Sequence, residues 1–139
     1  EAGEVPAWRM DMAKAGKRVG GLCFREREEG AVVVESGLLG DVVLARKDIG
    51  TSYHLAVVVD DAFQGVTDVV RGRDLFESTH VHRVLQELLG LPEPQYWHHR
   101  LVRNDEGERL AKRADAESIR ALRERGVTRE EILRRLNLL

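Results

Sequence analysis

The apolar positions change period twice along the chain. Near the start, Trp8, Met10 and Met12 alternate with polar residues, the period-2 pattern of a short strand. Gly16, Gly20 and Gly21 interrupt the stretch that follows, and the charged residues 25–29 read as a solvated turn or loop. Two β-branched runs, 31–35 and 41–45, flank Gly37 and Gly40 and predict a hairpin. Residues 54–61 hold Leu-Ala-Val-Val-Val before Asp60 and Asp61. That continuous run predicts a strand buried on both faces, as in a parallel sheet. Residues 65–71 predict a further strand, closed by Gly72.

Beyond residue 78 the period becomes helical. Val81, Val84, Leu85, Leu88 and Leu89 fall at i, i+3, i+4, i+7 and i+8. Ser78 or Thr79 can cap this helix, Gly90 suits its end, and Pro92 and Pro94 prevent its continuation. Residues 96–102 predict a strand leading into the turn Asn104-Asp-Glu-Gly107. A helix follows from about 115 to 125, stopping at Gly126. Another starts at the capping box Thr128-Arg-Glu-Glu131 and buries Ile132, Leu133 and Leu136. Strands interleaved with helices make this an α/β chain with a small helical extension.

Composition narrows the functional classes. A length of 139 residues fits one domain. Twenty-two basic against 24 acidic side chains give a net charge of −2, which excludes a globally basic nucleic-acid binder. Cys23 is the single cysteine, so an intramolecular disulfide framework and a multi-cysteine zinc site are excluded, and a reducing compartment is the simpler expectation. No apolar run approaches the roughly 20 residues that span a bilayer, and no secretory signal is visible. The chain opens at Glu1 rather than methionine, which reads as a processed product or a piece of something longer.

Candidate chemistry is sparse when read residue by residue. His80 and His82 lie two apart on the predicted helix and do not face each other; His98 and His99 are adjacent. Neither pair has metal-ligand spacing, so a structural or surface role is expected for both. Asp60 and Asp61 end the predicted buried strand, where α/β sheets place ligands, although a turn aspartate reads the same way. Tyr53 offers a hydroxyl that orients an amine or carboxylate, and Arg71 a fork that holds a carboxylate. Residues 107–113 carry Arg109, Lys112 and Arg113, either a solvated basic loop or a phosphate-neutralising one.

Taken in order, several segments resemble the class I glutamyl-type aminoacyl-tRNA synthetases. They are Asp41-Val-Val-Leu-Ala-Arg46, Tyr53-His-Leu-Ala-Val-Val-Val-Asp-Asp61, Gln64-Gly-Val-Thr-Asp-Val-Val-Arg-Gly72, Asp74-Leu75, Ser78-Thr79, 85–90 and Arg109-Leu-Ala-Lys-Arg113. The last resembles the family's KMSKS loop. The resemblance covers 41–113 and extends to 6–14 and the C-terminal helices, and it is strongest to the short glutamyl-queuosine tRNA(Asp) synthetase branch. It implies activation of glutamate by ATP to glutamyl-adenylate, then transfer to queuosine in the anticodon of tRNA(Asp). It places Tyr53 and Arg71 on the glutamate. It places Arg109, Leu110, Ala111, Lys112 and Arg113 on the ATP, with Lys112 catalytic at the phosphates.

The pattern departs from the family at Arg109, which replaces a lysine, and at Ala111, which replaces a serine hydroxyl. The resemblance implies ATP with Mg2+; the zinc-binding cysteines of some relatives are lacking, so no zinc is expected. The HIGH-type segment has no counterpart. The chain is therefore expected to be the C-terminal half of a Rossmann-like catalytic domain over 1–114, with a helical extension over 115–139. It is expected to be inactive without the N-terminal half, cytoplasmic and without membrane contact. The alternatives are a fragment of a glutamyl-tRNA synthetase, or a non-catalytic half-fold that binds tRNA or protein.

Overall fold

Asp11 starts the first helix of the computed structural model, which describes residues 6–46, 48, 50–103, 107 and 118–136. Trp8–Met10 is a strand (β1), and the Asp11 carboxylate then accepts the Lys14 backbone N–H at 2.9 Å to cap helix α1, Met12–Val19. Met12 thus begins a helix rather than extending the strand. Gly16 does not break α1. A Cβ there would lie 2.0 Å from Ser36 Oγ, so the glycine lets the segment after the third strand approach the helix.

Cys23–Glu26 (β2) and Gly30–Val33 (β3) form an antiparallel hairpin. Val42–Ala45 (β4) pairs with β1 instead. The expected hairpin between 31–35 and 41–45 is therefore corrected: both strands exist, but neither pairs with the other. The reading of 25–29 as a solvated loop is also corrected. Arg25 and Glu26 belong to β2, where exposure alternates, with Phe24 and Glu26 inside. Period 2 was hidden because one inward residue is an acid.

The larger correction concerns residues 54–59, expected as a buried strand. They lie in helix α2, Tyr53–Gln64, of which only Val58 is fully buried. Ser52 caps it by accepting the Leu55 N–H at 3.4 Å, and Gly65 ends it with φ of 68°. Asp60 and Asp61 consequently sit on a helix, not at a strand's carboxyl end.

Asp68–Gly72 (β5), a 3-10 turn at Arg73–Leu75, Phe76–Leu89 (α3) and Gln95–His99 (β6) form a β-α-β unit. Helix α3 starts at Phe76, so neither Ser78 nor Thr79 caps it, whereas Gly90 ends it at φ 64° as expected. Strands β5 and β6 are parallel, in register from Asp68↔Gln95 to Gly72↔His99, and β6 meets β2 in parallel at Glu26↔Tyr96. The sheet order is β3-β2-β6-β5. Met12, Ala15, Val42, Val58, Val81, Val84 and Leu85 form the core between helices α1, α2, α3 and strand β4.

The chain divides into two compact units, Glu1–His99, which holds all of the above, and Arg100–Leu139. In the second unit Ser118 caps Ile119–Glu124 (α4), and Thr128 caps Arg129–Arg135 (α5) by accepting the Glu131 N–H at 3.2 Å. Leu122 is buried, whereas Ile132, Leu133 and Leu136 are half-buried rather than buried. Residues 115–117 of the expected helix, and the expected boundary between 114 and 115, lie outside the described residues. No helix among the described residues is long and apolar enough to cross a membrane.

Candidate functional site

Arg71 stands one residue from the end of β5, in register with His98 on β6. The connection to α3 folds back over it, so the first turns of that helix supply its other partners. Arg71 Nε–H donates to His98 Nε2 at 3.1 Å. Nη2 donates to Thr79 Oγ1 at 2.6 Å and to the Leu75 carbonyl at 3.3 Å. Nη1 lies 3.2 Å from His82 Nδ1. Thr79 and His82 are three apart, so both reach the same face of α3. The guanidinium also lies over the Tyr96 ring, 5.3 Å from its centroid. Every one of these hydrogen-bond acceptors is neutral, and among the described residues no carboxylate lies within ion-pair distance of Arg71.

Tyr53 opens α2 beside the same histidine. Its ring centroid is 5.7 Å from that of His82 and 5.6 Å from that of His54, and His54 Nδ1 lies 3.1 Å from His82 Nε2. The structure therefore brings Tyr53 and Arg71 to one imidazole, His82. Tyr53 is 49% exposed, and with Ser52, His54, Asp41, Val42 and Arg46 it lines an open cleft of about 740 Å3.

Burial and the Arg71 charge set the protonation of this cluster. Burial first, then Arg71, His54 and His98, pushes His82 down to about 3. Burial and Arg71 lower His54 in the same way. For His98, burial outweighs the hydrogen bond to Glu26 and leaves the imidazole below its ordinary value. All three rings are therefore neutral at pH 7 and able to accept from the guanidinium. Asp61 is half-buried and its carboxyl is raised, because burial outweighs the attraction of Arg71.

His80 and His82 do point to different neighbours, but neither is on the surface. His80 accepts the Glu35 N–H at 3.0 Å and meets the Phe24 ring edge-on at 5.2 Å. Lys112, Arg109, Leu110, Ala111 and Arg113 lie outside the described residues. Sequence reasoning missed Thr79, His82 and His98 as partners of Arg71, and Glu26 as the partner of His98. The available signal was the alternation of 24/26 and 96/98 on two strands, which sends Glu26 and His98 inward together. Among the described residues no group of three or more His, Cys, Asp or Glu is placed to hold a metal ion.

The family model for class I tRNA synthetases (E and Q), catalytic domain, matches residues 4–139. The Glutamyl-Q tRNA(Asp) synthetase of Rhodobacter capsulatus is 57% identical over 100 residues, which cover 72% of this chain and 36% of that protein. Glutamate–tRNA ligase 2 of Syntrophus aciditrophicus is 31% identical over 137 residues, 99% of this chain and 27% of that protein. The crystal structure of a glutamate tRNA ligase from Elizabethkingia meningosepticum, in complex with its amino acid, superposes with a TM-score of 0.58. The identity there is 30%, over 68% of this chain and 19% of that one. The chain thus spans about a third of the length of such relatives.

Proposed function

Because the chain belongs to the catalytic domain family of the class I tRNA synthetases of the glutamate and glutamine type, we propose that it is part of an enzyme that activates glutamate with ATP and transfers the glutamyl group to queuosine of tRNA(Asp). Its α/β fold is that of the C-terminal part of such a catalytic domain. The observation that carries the proposal is Arg71, a half-buried cation whose protein partners are all neutral. A guanidinium held this way keeps its charge for an incoming carboxylate, and the one N–H on Nη1 not committed to His98, His82, Thr79 or Leu75 is left to donate to a carboxylate oxygen. The hydroxyl of Tyr53, on the cleft beside it, orients the amino acid's polar groups.

In the reaction the α-carboxylate of glutamate attacks the α-phosphate of ATP, and pyrophosphate leaves with the electron pair of the broken P–O bond. The adenylate then passes its acyl group to a hydroxyl of queuosine, and AMP leaves. Lys112, flanked in sequence by Arg109, Leu110, Ala111 and Arg113, is the cation for the charge that develops on the phosphates. Mg2+ would accompany the nucleotide and offset the charge of its phosphates. The enzyme works where its tRNA is, in the cytoplasm.

The higher identity to the Glutamyl-Q tRNA(Asp) synthetase, 57% against 31% for the glutamate–tRNA ligase, favours tRNA(Asp) over tRNA(Glu) as acceptor. The test exchanges residues 1–139 into the matching segment of the Rhodobacter capsulatus relative. Glutamate-dependent ATP–pyrophosphate exchange and transfer of labelled glutamate to queuosine-bearing tRNA(Asp) are then measured. Both activities are expected, and Arg71→Lys should raise the KM for glutamate about tenfold or more, since an ammonium cannot bond His98, Thr79 and His82 from one planar group and still present an N–H to the substrate. A swapped enzyme without exchange, beside an active parent, overturns the reading. An unchanged glutamate KM in Arg71→Lys removes Arg71 from the site.

A further inference from the structure

An arginine with no carboxylate to hold it needs something else to fix its orientation. His98 and Glu26 supply it. Glu26 and His98 are 1% and 0% exposed at their side chains, and His98 Nδ1 lies 2.6 Å from Glu26 Oε2. The other carboxylate oxygen, Oε1, accepts the backbone N–H of His98 at 3.2 Å. A carboxylate only accepts, so the His98 proton sits on Nδ1. Nε2 then carries a lone pair, and that lone pair takes the Arg71 Nε–H at 3.1 Å, beside the Thr79 hydroxyl at 3.1 Å. The opposite tautomer would set N–H against N–H at Arg71 and lone pair against carboxylate at Glu26.

The tautomer constraint extends outward to His82. Its Nδ1 accepts from Arg71, so its Nε2–H donates to His54 Nδ1. One carboxylate, buried 45 residues before Arg71 in sequence, therefore acts on the arginine through a neutral ring. We propose that His98 is a positioning residue for Arg71, with Glu26 selecting the tautomer that holds the guanidinium in place while leaving its charge for the substrate. The proposal deepens the glutamate reading and, as a statement about substrate, rests on it.

Two measurements test it. In the 139-residue chain with 15N-labelled histidine, long-range 1H–15N correlation should find His98 protonated at Nδ1 and bare at Nε2, and the Arg71 Nε–H should be slow to exchange with solvent. His98→Ala should abolish that slow exchange, and His98→Gln, whose carbonyl can replace Nε2 as acceptor, should restore it. A proton on Nε2 in the unaltered chain overturns the proposal, as does an Arg71 Nε–H equally protected in the alanine variant. In the segment-swapped enzyme, His98→Ala should raise the glutamate KM about tenfold, the scale of one lost charged hydrogen bond, and leave the KM for ATP unchanged. His98→Gln should recover most of that loss. An unchanged glutamate KM in His98→Ala overturns the positioning role. Failure of the swapped enzyme itself sinks the glutamate reading, and the NMR arm still decides for or against His98.

Discussion

His82 shows how much a single buried ring constrains this protein. It is 2% exposed, lies against Arg71, His54 and Tyr53, and titrates near 3 in the fold against 6.5 in an ordinary setting. Above pH 6.5 neither the folded nor the unfolded chain protonates it, and the fold keeps its full stability. As pH falls from 6.5 towards 3, the unfolded chain takes up a proton that the fold refuses. Stability is lost at up to about 1.4 kcal/mol per pH unit for such a group. His54, His80 and His98 are all lowered by burial and act with the same sign. The urea midpoint should therefore fall clearly between pH 7 and pH 5, and His82→Gln should flatten the slope. A midpoint constant over that interval would show that these rings protonate freely in the fold.

Helix α2 and helix α1 show tertiary and capping effects outweighing local signals. Three consecutive valines in α2 cost at most about 2 kcal/mol in helix propensity relative to alanine. The Ser52 cap returns about 1 kcal/mol, and burying Val58 adds about 2 kcal/mol. The balance favours a helix where periodicity alone reads a strand. The true signal was the spacing of Ser52 and Gly65 on either side of a twelve-residue stretch, too long for an ordinary strand. In α1, Gly16→Ala would gain about 1 kcal/mol of helix propensity on an open surface. Here the new methyl meets Ser36 Oγ at 2.0 Å and Cβ at 2.7 Å. Net destabilisation of up to about 2 kcal/mol is expected, since overpacking of this kind costs about 1–3. The double variant Gly16→Ala with Ser36→Gly should recover it. A single variant more stable than the parent would mean that the segment carrying Ser36 does not press on α1.

At the scale of the whole molecule, the four-stranded sheet has two edges, β3 and β5, and Arg71 sits on the edge strand β5. The chain spans about a third of its relatives' length, and the isolated 139 residues should give no glutamate-dependent ATP–pyrophosphate exchange. In the swapped enzyme, Lys112→Ala should lower kcat about a hundredfold with a smaller effect on the glutamate KM, since loss of a preorganised charge at the phosphates costs on the order of 3 kcal/mol. Exchange by the isolated chain, or full activity without Lys112, would defeat these two expectations in turn. The sequence by itself determined what near neighbours decide. Helix α3 was legible from five apolar residues at helical spacing and Gly90, β5 and β6 from β-branched and aromatic runs, and α5 from its Thr128 cap. Tyr53 and Arg71 stood out because they lie within one strongly family-like segment. Only the tertiary structure decided that β3 pairs with β2 and β4 with β1, that 54–59 is helical, and that Glu26 reaches His98 from 72 residues away. Those outcomes depend on which elements pack together. A buried acid or imidazole looks like any exposed one until its partner, remote in sequence, is brought within 3 Å and the cost of removing it from water is offset.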